Sequence, residues 1–236
     1  MNAFITGIGW VTPTNMGCGT ALDRFEMTAG KLPEITRQAV FDEPYPHFGR
    51  LDRYSRMGLS AIAFALKDAG LDCWRRKRPI AIIASTVHGC LDTDVDYYDT
   101  VMPQEGRLAS PNLFAYTLPN SYIGEAAIRF GLTGSTFVIS ESSQSELWCL
   151  RMALIGISGG QFKIVLGGRC DLGPRSPFSE FDQTVGGALY FVIEKNADRR
   201  SALYGELGMN RDGEVIFNGA EIRNLSTLAQ HCIAAR

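Results

Sequence analysis

The stretch Phe137-Val138-Ile139-Ser140-Glu141-Ser142-Ser143-Gln144-Ser145-Glu146-Leu147 decides how this chain is read. Its apolar, β-branched start predicts a buried strand over Thr136–Ile139, and its polar middle predicts a sharp turn. Beyond the turn, Leu147, Leu150, Leu154 and Ile157 recur at helical spacing, which predicts a helix over Ser145–Ile157. A strand that runs through a turn into a helix N-terminus is where several classes of α/β enzyme hold a nucleophile. The free N–H groups and the positive end of the helix dipole favour negative charge there. Here the turn carries Ser142, Ser143 and Ser145, and the next cysteine, Cys149, falls inside the helix.

Outward from this segment, strand and helix patterns alternate. Short strands are expected at Ala3–Gly7, Ile80–Ser85, Lys163–Gly167, Gly187–Glu194 and, as a last edge strand, Leu203–Leu207. Gly9-Trp10-Val11-Thr12-Pro13 reads as the turn after the first strand, and Gly167-Gly168 as a tight turn after a core strand. Helices are expected at Ala21–Ala29, Tyr54–Ala69 (closed by Gly70), Asp92–Val101, Pro119–Phe130 (closed by Gly131) and Glu221–Ala234. The alternation argues an α/β fold with a mostly parallel five-stranded sheet, covered by helices on both faces. With no repeats, linkers or low-complexity tracts, residues 1–236 read as a single domain.

The composition sets bounds. A hydrophobic fraction of 45% and a charged fraction of 20% are those of an ordinary globular protein. A net charge of -2 gives no reason to expect a nucleic-acid partner. No apolar run approaches the roughly 20 residues that span a bilayer, so no membrane partner and a cytoplasmic location are expected. Six scattered cysteines without a C-x-x-C pattern imply a reduced compartment and no metal site. Gly7-Ile8-Gly9 lacks the third glycine and the later acid of a dinucleotide fingerprint, and no cofactor is expected.

Four stretches together resemble the N-terminal half of the β-ketoacyl synthases, within the thiolase-like superfamily. They are Phe4-Ile5-Thr6-Gly7-Ile8-Gly9-Trp10-Val11-Thr12-Pro13, Asp52-Arg53-Tyr54-Ser55-Arg56-Met57 through Leu66-Lys67-Asp68-Ala69-Gly70-Leu71, Tyr116-Thr117-Leu118-Pro119-Asn120 with the helix ending Phe130-Gly131-Leu132-Thr133-Gly134, and the strand–turn–helix around Ser142 leading to Phe162-Lys163-Ile164-Val165-Leu166-Gly167-Gly168. The resemblance implies a thiolase-like half-domain over residues 1–236. It also implies work on acyl carrier proteins in making fatty acids, polyketides or related polyenes of the aryl-polyene type.

The departures from the family pattern carry as much information. The family's nucleophilic cysteine, in a pattern like Thr-Ala-Cys-Ser-Ser-Gly, falls against Ser140-Glu141-Ser142-Ser143-Gln144-Ser145, which puts Ser142 at the nucleophile position. A thiol titrates near ~8.5 and lower at a helix N-terminus, whereas a serine hydroxyl needs an adjacent base. Glu141 adds a negative charge where a small residue is usual, which opposes an oxyanion or thiolate. The family's catalytic histidines belong to a second half beyond this chain, and His47, His88 and His231 match none of their motifs. Condensation by this chain alone is therefore not expected.

The residues leave two uses for Ser142. It is an acyl-accepting nucleophile, or a polar cap on the helix that follows, as Ser143 can also be; the cap is preferred because no base is mapped and no G-x-S-x-G elbow is present. His88, Glu141 and Ser143 are the candidate substrate-binding residues, with His88 placed where a strand of an α/β sheet ends. The basic run Arg75-Arg76-Lys77-Arg78 and the trio Arg50, Arg53 and Arg56 are rival docking surfaces for an acidic carrier protein. An apolar strand Thr136–Ile139 left at a sheet edge calls for a partner, and the resemblance implies pairing there in a homodimer or heterodimer. The stripe Ile222, Leu225, Leu228, Ala229 and Cys232 suits a helix that covers the chain's own apolar face. The expectation is a chain-length-factor-like partner of a ketosynthase subunit or an acyl carrier protein. The alternative is a serine acyltransferase or thioesterase using Ser142.

Overall fold

The computed structural model describes residues 2–21, 24–141, 147–173, 184–196 and 204–235. Among these residues nine strands form one sheet: β1 (Asn2–Val11), β2 (Met16–Cys18), β3 (Ile80–Thr86), β4 (Thr136–Ser140), β5 (Ile164–Asp171), β6 (Gly187–Glu194), β7 (Gly205–Met209), β8 (Val215–Phe217) and β9 (Ala220–Glu221). Their order is β4-β3-β5-β6-β1-β7-β8-β9, with β2 beside β1. The helices are α1 (Arg37–Val40), α2 (Arg53–Asp68), α3 (Leu91–Val101), α4 (Pro111–Phe114), α5 (Ser121–Phe130), α6 (Trp148–Ser158) and α7 (Leu225–Ala234).

The α/β architecture with helices on both faces is as expected, but the sheet is mixed and larger than five mostly parallel strands. Among the strands of the described residues only β3–β4 and β3–β5 pair in parallel. Parallel neighbours need a crossover, and α3–α5 and α6 supply those two. The strands β7, β8 and β9 follow one another through short turns and so run antiparallel. Leu203–Leu207 was expected to end the sheet, whereas β7 has β8 and β9 beyond it.

Four local expectations change for packing reasons. The segment Gly9–Val11 is strand, because Trp10 is held in register with Leu189 on one side and Gly17 on the other. Gly167 and Gly168 lie inside β5, not in a turn. A Cβ on Gly168 would sit 2.3 Å from the Leu189 carbonyl oxygen and 2.5 Å from the Tyr190 ring, so the glycine admits the neighbouring strand and its tyrosine. The expected helix Ala21–Ala29 is irregular over residues 24–28, where Phe25 instead packs edge-on against Trp10 at 5.4 Å. The helix expected from Glu221 starts at Leu225, where the Asn224 side chain caps the Thr227 N–H at 2.7 Å.

Two cores flank the sheet. One joins α2 and α5 to the sheet through Tyr54, Leu59, Ile62, Leu66, Tyr122 and Ile123. Gly9 lets α2 lie directly on β1, since a Cβ there would come within 2.1 Å of the Ala65 amide nitrogen. The other core joins α6 and α7 to the opposite face, and it buries Ile222, Leu225, Leu228, Ala229 and Cys232 together with Leu150, Ala153 and Leu154 of α6. Burying one Leu or Ile side chain is worth about 1.5–3 kcal/mol. Both faces are therefore substantial sources of stability, and the C-terminal segment belongs to the core. Between them Asp68 ties α2 to the sheet: its carboxylate accepts from Ile8 N–H (2.8 Å), Tyr204 Oη (2.6 Å), Thr20 N–H (2.7 Å) and Thr20 Oγ1 (2.5 Å).

Candidate functional site

The parallel strands β3, β4 and β5 all point their C-terminal ends to one end of the sheet, where open α/β sheets place their sites. Ser142 and Ser143 lie outside the described residues. On either side of them, β4 ends at Ser140, the Glu141 N–H donates to the Thr86 carbonyl at 2.8 Å, and α6 begins at Trp148. Glu141 and His88 are both half-buried at this end, so the structure brings these two predicted residues to the ends of neighbouring strands.

What organises this end escaped the sequence reading. Asp171, fully buried at the tip of β5, accepts hydrogen bonds from Val87 N–H (2.9 Å), His88 N–H (2.9 Å), Thr86 Oγ1 (2.8 Å) and Arg169 Nε (2.7 Å). Thr86 Oγ1 in turn accepts the Gly89 N–H at 2.8 Å. One carboxylate thus shapes the turn after β3 and sets where His88 leaves the sheet. The signal was there to be read: Arg169-Cys170-Asp171 sets two charges at the end of an apolar strand, and buried charges require partners.

The thiol chemistry of this end is closed. Cys149 is fully buried in α6, and burial together with the charge of Glu141 pushes its thiol up to about 12. It stays protonated at neutral pH and supplies no thiolate. Beneath the strand ends the space is filled by aromatic side chains. Tyr54 and Tyr122 meet edge-on at 5.2 Å, and Tyr122 and Tyr190 join hydroxyls at 2.5 Å. Burial holds all three phenols well above their usual range.

The two basic clusters separate. Arg78 opens the chain into β3, at the end of the sheet opposite the candidate site, and donates to the Leu71 and Phe130 carbonyls at 2.7 and 3.3 Å. Arg50, Arg53 and Arg56 lie at the N-terminal end of α2, on the same end as Ser140 and Asp171. There Thr93 bonds Asp52, and the Cys170 thiol approaches the Tyr54 carbonyl at 3.8 Å. Arg53 and Arg56 line a cavity of about 350 Å³ with Lys31 and Leu32. His47 stacks on Tyr45 with ring centroids 6.4 Å apart, and His231 is exposed on α7. Among the described residues no cluster of His, Cys, Asp and Glu is grouped to hold a metal ion, and no helix is long and apolar enough to cross a membrane.

Among the described residues the strand β4 forms one edge of the sheet and pairs only with β3. Its Phe137, Val138 and Ile139 are half-buried, and large apolar side chains nearby in the chain are exposed: Ile128 on α5, and Trp148 and Ile155 on α6. The connection that leaves β3 adds Tyr98, Met102, Phe114 and Leu118, each more than half exposed.

Comparison with known proteins agrees with this architecture. The sequence model of the family "Beta-ketoacyl synthase, N-terminal domain" matches residues 31–184. A polyketide beta-ketoacyl synthase of Streptomyces halstedii is 27% identical over 254 residues, covering 95% of this chain and 58% of its own length. The chain thus spans little more than half the length of that relative. Among solved structures, the complex of the ketosynthase ApeO with its chain length factor ApeC from Xenorhabdus doucetiae matches with a TM-score of 0.61 at 19% identity, covering 84% of this chain and 80% of that one. The ishigamide ketosynthase/chain length factor matches with a TM-score of 0.71 at 17% identity, over 90% of this chain and 66% of that one. A beta-ketoacyl synthase from Burkholderia phymatum matches with a TM-score of 0.65 at 17% identity, over 87% and 62%. The chain belongs to the beta-ketoacyl synthase family, of which it carries the N-terminal domain.

Proposed function

We propose that this chain is a non-condensing, ketosynthase-like subunit of a polyketide-forming system. In this reading it pairs with an active ketosynthase along β4, in the manner of a chain length factor, and residues 1–236 act as one domain. The observation that carries the reading is the open apolar edge at β4, directly before the nucleophile position. Alternation along the strand sharpens it. Glu141 N–H and Ser135 C=O point to β3, so the N–H and C=O groups of Val138 and Ser140 point outward, ready to pair.

The site chemistry supports a non-condensing role. Serine stands at the nucleophile position, the neighbouring thiol Cys149 is buried and protonated, and Glu141 disfavours a developing anion beside it. The match to the ketosynthase–chain length factor complex spans most of both chains, so a chain of about this length occurs in such an assembly. For the acyl carrier protein we favour Arg50, Arg53 and Arg56 over the Arg75–Arg78 run, because only the trio lies at the end of the sheet where β4 and β5 finish.

The test has two arms. The chain is mixed with a polyketide ketosynthase and run by size exclusion with light scattering, and a one-to-one complex is expected. In parallel, wild type and Ser142→Ala are incubated with acyl-loaded carrier protein and weighed intact. No adduct on either is expected. An acyl adduct on the wild type alone would overturn the reading and make this a serine acyltransferase or thioesterase.

A further inference from the structure

Two of the arginines at the start of α2 line a cavity whose charge is not balanced. Lys31, Arg53 and Arg56 border a space of about 350 Å³, and Glu34 is the one carboxylate of that lining, so three cations face a single anion. The volume falls within the range of about 300–1,000 Å³ for small-molecule clefts. Among the described residues none of the three cations forms an ion pair.

The local sequence sharpens the imbalance. Arg53 and Arg56 are the first and fourth residues of α2, which puts them on one side of the helix. Both stand near the positive end of the helix dipole, where a cation is disfavoured, and the first turn of α2 carries no acid. The capping residue Asp52 is engaged elsewhere: its carboxylate accepts the Ser55 N–H at 2.9 Å and the Thr93 hydroxyl. Arg56 donates Nη2 to the Gly49 carbonyl at 3.0 Å, while its Nε is buried and has no hydrogen-bond partner among the described residues. A buried donor without an acceptor is destabilising. An anion in the cavity would offset the surplus cations, suit the helix dipole and accept from the guanidinium forks, whose geometry matches carboxylate and phosphate.

The rest of the lining is apolar. Leu32 and Ile35 anchor the irregular segment before α1 in the core, and half-buried Pro33 lies between them in the chain. A ligand held by the cations therefore also meets hydrocarbon, which selects an anion with an apolar tail over a bare ion.

We propose that this cavity binds a single-chain amphipathic anion, with its carboxylate or phosphate head on Lys31, Arg53 and Arg56 and its alkyl tail against Leu32, Pro33 and Ile35. Binding of so small a ligand is measured on the chain alone, so it stands or falls apart from carrier docking at the same arginines. Octanoate and octyl phosphate are the probes, titrated calorimetrically into the full chain below their micellar concentrations, and the tighter of the two identifies the head group. Saturable binding is expected, at least about tenfold tighter than that of acetate, inorganic phosphate or octanol. The double change Lys31→Glu, Arg53→Glu is expected to weaken it at least about tenfold, with circular dichroism unchanged because both side chains are exposed. Arg75→Glu with Arg76→Glu makes the same change in charge at the opposite end of the sheet, and is expected to leave binding within about twofold. No saturable heat with either probe at millimolar concentration overturns the proposal. Octanol binding as tightly as octanoate overturns it as well, since charge then plays no part. Equal weakening by the two double changes does so too, because the overall charge of the chain, and not this cavity, would then attract the anion.

Discussion

The two edges of the sheet are built in opposite ways. At one edge β4 offers five residues, Thr136–Ser140, with an apolar centre and outward N–H and C=O groups. At the other, β9 is two exposed residues, Ala220 and Glu221, with Glu221 beside Arg223 at 3.7 Å. Short, charged edge strands are how sheets avoid pairing with other chains, and long apolar ones invite it. One edge of this molecule is blunted and the other is left open, and the partner proposed above belongs to the open one.

Several measurements would break or sharpen that contrast. The largest effect is expected at the β4 end from Asp171→Ala, which leaves Arg169 charged and buried and strands the Val87 and His88 amides. Removing one member of a buried ion pair costs about 3–5 kcal/mol, so the urea midpoint should fall sharply. At the far side, Asp68→Ala strands donors from Ile8, Thr20 and Tyr204. About 1–3 kcal/mol per buried group left unsatisfied makes a loss near ~3 kcal/mol reasonable, and a melting point lower by about 6–12 °C is expected. Ketosynthase binding should survive Asp68→Ala, because the damage lies away from β4. A loss of binding there would blur the distinction between the edges.

Val138→Pro removes an outward N–H without touching the β3 ladder. Complex formation with the ketosynthase should weaken at least tenfold, which is about 1.4 kcal/mol. Ala220→Pro on the blunted edge should leave it unchanged; equal effects at both edges would refute the asymmetry. The smallest effect is chemical. At pH 8.5 iodoacetamide should label Cys73 in the folded chain and spare Cys149, whose thiol stays protonated because its titration lies near 12, well above that pH. Rapid labelling of Cys149 would mean that α6 opens and that the site beside β4 holds a reactive thiol after all.

Most of the local structure could be read from the residues. The helices α2, α5 and α6 and the strands β3, β4 and β5 announce themselves by period and by glycine closures, as at Gly70 and Gly131. The strands β2, β8 and β9 did not, because two or three residues carry no period. They exist only because β1 and β7 are there to pair with them. The role of Gly168 was misread for the same reason. A glycine that makes room for the Tyr190 ring looks, in one dimension, like a glycine that makes a turn.

The sequence alone therefore determined the class of fold, the family likeness, the run of serines that follows residue 139 and the apolar character of residues 136–139. Those properties reside in residue types and short-range spacing, which are visible without coordinates. Only the tertiary structure decided that β4 is an edge, that Arg50–Arg56 and Arg75–Arg78 lie at opposite ends of the sheet, and that Asp171 governs the turn carrying His88. Each is a relation between residues far apart in the chain, set by strand order and by the partners that buried charges must find.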